Sequence, residues 1–229
     1  MNISVIIPCY NEERTIKKIV TTVKKYTQEN DEIIVVDDGS TDNTQYILKN
    51  ELKDIIDKLI INNQNYGKGY SIRKGISLVE REITLIQDAD LEYHPSDYVK
   101  LLKPIKDGFA DVVYGSRFYG SDETRVLFFW HTLGNKFLTL LSNIFSNLNL
   151  TDMEVCYKVF RSKVLKEIKL EENRFGFEPE ITAKIAKKDL QIYEVGIKYY
   201  GRKYSEGKKI TWRDGFSALR CIIYYNFFK

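Results

Sequence analysis

The sequence predicts an α/β fold in which a mostly parallel sheet is flanked by helices. Three observations point there. Short apolar runs alternate with helix-period segments through the first half of the 229-residue chain, which is the grammar of successive βα units. Those runs are continuously apolar instead of alternating, as strands covered on both faces are. The composition is 43% apolar, enough to fill one core at a length near the upper end for a single domain. Residues 1–229 are therefore read as one domain, with no internal repeat or low-complexity linker.

The elements follow in order. The first strand is residues 3–8, within the run "ISVIIPCY". That run is short and lacks the basic start and small-residue cleavage site of a signal peptide. In helix 12–26, Ile16, Ile19, Val20 and Val23 keep the spacing of a buried stripe. Asn11 is placed to cap it, with Glu12 and Glu13 at the positive end of the dipole and Lys24 and Lys25 at the negative end. Strand 32–37, helix 42–50, strand 58–62, helix 68–80 and strand 82–87 continue the alternation. A helix at 96–107 and a buried strand, "DVVYGSR" at 111–117, complete it.

The βα pattern then breaks into an aromatic segment, 118–150. "CYKVFR" (156–161) and "DLQIYEVGIKYYGR" (189–202) read as strands on either side of a helix at 177–188. In the last segment Trp212, Phe216, Leu219, Ile223 and Phe227 recur at three- and four-residue steps, an amphipathic helix.

Charge and cysteine content narrow the setting. The net charge of +3 divides into +6 over residues 196–229, where eight Lys/Arg face Glu206 and Asp214, and −3 over the rest. Such a basic tail seeks phosphates. Cys9, Cys156 and Cys221 have no CxxC pairing, which fits a reducing compartment. The longest apolar stretch, "VLFFWHTLGNKFLTLLSNIF", is interrupted by His131, Lys136 and several Asn and Ser, so no segment is expected to span a bilayer. Nucleic acid is not an expected partner, since no recognition motif accompanies the charge.

Asp88, Asp90 and Glu92 stand on alternate positions just past the apolar run "ITLIQ". In open α/β sheets, ligands bind beyond the carboxyl ends of the strands. Clustered carboxylates repel unless a cation compensates them. The hard ions Mg²⁺ and Mn²⁺ prefer oxygen ligands and keep positions open for waters and substrate phosphates. A solvated acidic turn is the bland alternative. An EF-hand would need Gly and Glu where Tyr93 and Val99 stand. A dinucleotide fold would place GxGxxG after the first strand, where "PCYNEE" is found. A phosphohydrolase with an aspartyl nucleophile would carry its DxD after the first strand, not the fourth.

Taken in order, "VIIPCYNEE" (5–13), "VVDDGSTDNT" (35–44), "NYGKG" (65–69), "DADLEYHP" (88–95) and "GSR" (115–117) resemble the family 2 glycosyltransferases. Their fold is GT-A, a Rossmann-like, mostly parallel sheet. The likeness is to the dolichol-phosphate mannose or glucose synthase type, and it runs on through "TDMEVCYKVF" (151–160). It implies a nucleotide-sugar-binding half at 1–117 and an acceptor- and membrane-facing half at 118–229. Pro8, Tyr10, Glu12, Asp37 or Asp38, and Lys68 would surround the nucleotide, with Asp88 beside the sugar diphosphate. Metal contact would fall to Asp90 and to Glu92, a position that is Gln in many relatives.

Elementary chemistry accommodates most of this. Asp37 and Asp38, followed by Gly39 in a tight turn, can offer acceptors to a base or ribose. Gly67 and Gly69 permit close backbone approach, and Lys68 adds positive charge. The bland readings are an ordinary turn at "DDGS" and a flexible turn at "NYGKG".

The reaction implied is inverting transfer of a hexose from UDP-glucose or GDP-mannose to a polyprenyl (dolichyl or undecaprenyl) phosphate, with Mg²⁺ or Mn²⁺ neutralising the leaving diphosphate. A phosphate monoester, with its second pKa of about 6, is already ionised and requires no protein base. Arg117, Arg125 and Arg202 are the candidate phosphate clamps, with Arg117 and Arg202 in matching family segments. Lys208 and Lys209 lie on a Gly-containing loop able to close over substrate. A sugar hydroxyl acceptor would instead need a base, for which Asp152 or Glu154 is the family-position candidate. Phe128, Phe129 and Trp130, with Leu133, Phe137, Leu141 and Ile144, suit an interfacial helix beside the basic tail. Core packing and homo-oligomer contact are the other uses of that row. The expected location is the cytoplasmic face of a membrane, peripherally attached.

Overall fold

The structure, a computed structural model, describes residues 1–120, 125, 126, 128–202 and 212–229. Lys208 and Lys209, and the side chain of Trp212, lie outside the described residues. Among the described residues, seven strands form one sheet: β1 (Ile3–Cys9), β2 (Glu32–Asp37), β3 (Lys58–Ile61), β4 (Ile83–Ile86), β5 (Val112–Ser116), β6 (Lys158–Arg161) and β7 (Ile192–Gly196). Their order is β3-β2-β1-β4-β6-β5-β7. β1 runs parallel to β2 and β4, β2 to β3, and β5 to β7. Only β6 is antiparallel among the described strands, and it lies between β4 and β5. The mostly parallel sheet expected from the apolar runs is present, and every residue of β1 and β2 is buried.

The helices are α1 (Ile16–Tyr26), α2 (Thr44–Tyr46), α3 (Lys68–Ile76), α4 (Tyr98–Lys106), α5 (Phe129–Ser146), α6 (Ser162–Glu167), α7 (Phe177–Ala186) and α8 (Trp212–Phe227). A single π turn, Ile47–Glu51, continues α2. Ile16, Ile19, Val20 and Val23 of α1 are buried as their spacing requires. Each such side chain contributes roughly 1.5–3 kcal/mol of apolar burial. A smaller cluster of Ile6, Ile34, Val36 and Val79 forms separately from the main core, because alternate residues of a strand point to opposite faces.

Two expectations at α1 fail together. The helix starts at Ile16, behind Thr15, instead of at residue 12. Asn11 does not cap it: it sits at φ +49°, and its Oδ1 accepts the Thr41 N–H at 2.8 Å. That left-handed kink, which Asn tolerates, lies between the carboxyl end of β1 and Glu12. Elsewhere the strand expected at 156–161 begins only at Lys158, the one expected at 189–202 is confined to Ile192–Gly196, and the short α6 was not foreseen.

The C-terminal helix forms where expected but docks through another face. Phe216, Ile223 and Phe227 point outward, while Ala218, Cys221, Ile222 and Tyr225 are buried against α5 and α7. Arg220 and Tyr225 anchor α8 to Glu172 at 2.7 and 3.1 Å. On α5, Phe129, Trp130, Leu133, Phe137 and Ile144 are likewise exposed, whereas Leu141 packs against the core. The Phe145 and Phe227 rings, 5.0 Å apart, join the two exposed rows. Among the described residues, no helix is long and apolar enough to cross a membrane.

Candidate active site

The carboxyl ends of β1, β2 and β4 gather the acids singled out in the sequence. Lys68, at the start of α3, lies 3.0 Å from Asp88 and 3.0 Å from Glu178 of α7. Burial opposes the lysine charge, yet Asp88, then Cys156 and Glu178, raise its ammonium well above the ordinary range. Asp90 is pushed up to about 7 by burial and by the neighbouring charges of Asp88 and Glu92. Arg202 pulls in the other direction, with Nη2 at 3.1 Å from Asp90 and 3.4 Å from Glu12.

Residues 198–202 form a strap that passes over this cluster. Glu92 holds it: Oε1 accepts the Arg202 backbone N–H at 2.7 Å, Oε2 accepts the Tyr199 hydroxyl at 3.0 Å, and its carbonyl accepts the Tyr200 N–H at 2.9 Å. Both carboxylate oxygens of Glu92 are thus engaged within the chain. Arg125 reaches the same strap, donating its backbone N–H to the Tyr199 carbonyl at 2.9 Å and its guanidinium to the Gly201 carbonyl at 3.0 Å.

Arg117 and Asp152 form a bidentate pair at 2.6 and 2.7 Å, with Asp152 fully buried and the guanidinium over the Tyr199 ring. Asp152 is therefore the partner of Arg117, not a carboxylate open to an acceptor. Glu154 is different: burial, then Glu178, pushes its carboxyl up to about 8, and its Oε1 has no hydrogen-bond partner among the described residues. Its pKa lies above the ordinary 4.5, so the folded chain takes up a proton and stability falls as pH rises through that interval. Glu154→Gln is expected to stabilise the fold, little at pH 5 and by on the order of 2 kcal/mol at pH 8. A gain independent of pH in thermal melts would overturn the assignment.

Asp37 and Asp38 are committed to the chain. Asp37 accepts the Ser40 N–H at 3.0 Å, closing the turn. Asp38 accepts the Asn62 amide at 2.8 Å and the Tyr66 and Gly67 N–H groups at 3.1 and 2.7 Å, fixing the loop that leads to Lys68. Pro8 is buried within β1, and Tyr10 follows it half-buried. The close approach permitted by Gly67 and Gly69 is taken by protein: a Cβ at either would overlap the backbone carbonyl of Asn173 or Glu172. Gly69→Ala should accordingly destabilise by about 2 kcal/mol or more, as overpacking does, read as a lowered denaturation midpoint.

Glu178 and Tyr199 were missed at the sequence level. A carboxylate in the first turn of a helix, as in "FGFEPE", has a ready dipole explanation, and only the fold brings Glu178 to Lys68, 110 residues away. Tyr199 carries no comparable signal. Among the described residues no three His, Cys, Asp or Glu side chains form a ready metal cage. The donor chemistry at Asp90 nonetheless fits a hard divalent ion: oxygen ligands, crowded by like charge, with a cationic side chain already drawn among them.

Comparison with known proteins places this geometry. The chain is 30% identical over 231 residues to an uncharacterised protein of Methanocaldococcus jannaschii, covering 99% of this chain and 93% of that one. It is 29% identical over 236 residues to the UDP-N-acetylglucosamine–dolichyl-phosphate N-acetylglucosaminyltransferase of Methanococcus voltae, with 95% and 93% covered. In fold it resembles glucosyl-3-phosphoglycerate synthase of Mycobacterium tuberculosis, crystallised with Mn²⁺, UDP and phosphoglyceric acid. The TM-score is 0.77 at 17% identity, over 100% of this chain and 79% of that one. The Glycosyl transferase family 2 model matches residues 4–169, spanning β1 to α6 with the whole acidic cluster, and the chain belongs to that family.

Proposed function

We propose that the chain is an inverting glycosyltransferase that moves a hexose from a nucleotide-sugar, UDP-glucose or GDP-mannose, to a polyprenyl phosphate. One observation carries the choice of acceptor. Of the two carboxyls that family position offers as a base for a sugar hydroxyl, Asp152 is locked to Arg117, and burial beside Glu178 disfavours the carboxylate form of Glu154. An acceptor that arrives ionised, as a phosphate monoester does, suits such a site. The Methanococcus voltae relative is named for a dolichyl-phosphate acceptor and a UDP-N-acetylglucosamine donor, which supports the same reading and favours testing a UDP-N-acetylhexosamine beside the two leading donors.

In this reading Asp90 would hold Mg²⁺ or Mn²⁺, whose charge would stabilise the departing diphosphate. Lys68, fixed between Asp88 and Glu178, supplies positive charge to the nucleotide-sugar. Arg117 and Arg202 orient the acceptor phosphate, with Arg125 steadying the strap from which Arg202 extends. The exposed aromatic rows of α5 and α8 meet the cytoplasmic face of a membrane, where a polyprenyl chain is buried.

The test incubates the protein with Mn²⁺ or Mg²⁺, undecaprenyl phosphate and, separately, UDP-glucose, GDP-mannose and UDP-N-acetylglucosamine, and follows the lipid fraction by mass spectrometry. A metal-dependent glycolipid from one donor is the expected result. Nucleotide binding without any lipid product would overturn the acceptor assignment.

A further inference from the structure

We propose that Arg202 and the divalent cation are alternative partners of the Glu12 and Asp90 carboxylates, and that Glu92 is the positioning residue that keeps Arg202 within reach of them. The inference rests on the reading that Asp90 takes the metal. Its basis is a contrast between two half-buried arginines in one site. Arg117 meets Asp152 bidentately at 2.6 and 2.7 Å, within the range of a strong charge-assisted pair. Arg202 meets Glu12 at 3.4 Å through each terminal nitrogen and Asp90 at 3.1 Å, and its buried Nε, 3.8 Å from Glu92 Oε1, has no hydrogen-bond partner among the described residues. The first is a lock. The second is a loosely seated cation that compensates clustered acids and leaves one of its own donors unused.

The strap need not move for Arg202 to leave. Asp97 accepts the Lys198 N–H at 2.9 Å, Arg125 holds the Tyr199 and Gly201 carbonyls, and Glu92 holds the Tyr199 hydroxyl and the Tyr200 and Arg202 backbone N–H groups. These contacts are to the backbone or to Tyr199, and Glu92 adds one long ion pair to the Arg202 side chain, Oε1 at 3.8 Å from Nε, so the long Arg202 side chain can swing while its own Cα stays in place. With Asp90 engaged by a metal, the guanidinium would be free to serve as the proposed phosphate clamp. Glu92, with both oxygens on the strap, acts through Arg202 and not as a metal ligand.

Mn²⁺ affinity without nucleotide, read from the electron paramagnetic resonance signal of the free ion, tests this without any turnover. Arg202→Met should bind Mn²⁺ about tenfold more tightly than the unaltered protein, within the ordinary range of coupling between ligands. UDP or GDP should narrow that difference. Glu92→Ala should also tighten binding, because it frees the strap, whereas loss of a metal ligand would weaken it. Glu92→Gln, whose amide oxygen still accepts the Arg202 N–H, should stay near the unaltered value. Equal affinities in the unaltered protein and Arg202→Met, or weaker binding in Glu92→Ala, would overturn the proposal. Arg202→Gln gives the same comparison should the methionine variant not fold. Asp90→Ala is the separate control: if it binds Mn²⁺ as well as the unaltered protein, the metal assignment itself fails.

Discussion

Asp90→Ala is expected to lower hexosyl transfer by about a thousandfold, the scale at which removal of a preorganised charge-stabilising group acts, while leaving the fold intact. The carboxyl sits at the end of β4 among Asp88, Glu92 and Glu12, and its raised pKa of about 7 reflects burial and crowding. Removing it relieves repulsion, so the melting temperature should change by a few degrees at most even as turnover collapses. Initial rates with saturating donor and Mn²⁺, paired with a thermal melt, check both halves. Activity within tenfold of the unaltered protein would remove Asp90 from the reaction.

The second large effect is structural. Asp152→Ala leaves the Arg117 guanidinium buried without its bidentate partner, and breaking a buried pair from one side costs about 3–5 kcal/mol. For a chain of this size that is a fall of about 10 °C in melting temperature. Replacing both residues with apolar side chains, Arg117→Met with Asp152→Leu, should restore most of the stability. The double variant is nonetheless expected to stay inactive, because Arg117 is also the proposed phosphate clamp. Recovery of both stability and activity would make the pair purely structural. Chemical denaturation of the two variants separates these outcomes.

What could be read in advance follows from the range over which each signal acts. The apolar runs of β1, β2 and β4 were legible because strands buried on both faces must be continuously apolar, whatever surrounds them. The acids at Asp88, Asp90 and Glu92 were legible because charge directly after such a run has few structural uses. The occupation of Glu92 by the strap was not, since Tyr199 is 107 residues away and only the fold brings it near. Nor was the docking face of α8: periodicity reports large apolar residues, and this helix packs through Ala218 and Cys221 and leaves Phe216 and Phe227 outside. Gly67 and Gly69 were rightly read as sites of close approach, but the approaching group is the loop at 172–174.

The antiparallel β6 has a bearing on how the chain is made. β4 and β5 are not hydrogen-bonded to each other; each is paired to a strand that begins at Lys158. During synthesis, then, the first 117 residues leave the ribosome with β4 open along one edge and β5 without either neighbour. Exposed edges invite pairing with other chains, and pairing at long sequence separation is slow to form. The sheet can close only after residue 161 has emerged, so a nascent chain paused before that point is the species most prone to aggregate, and a chaperone would be most useful there.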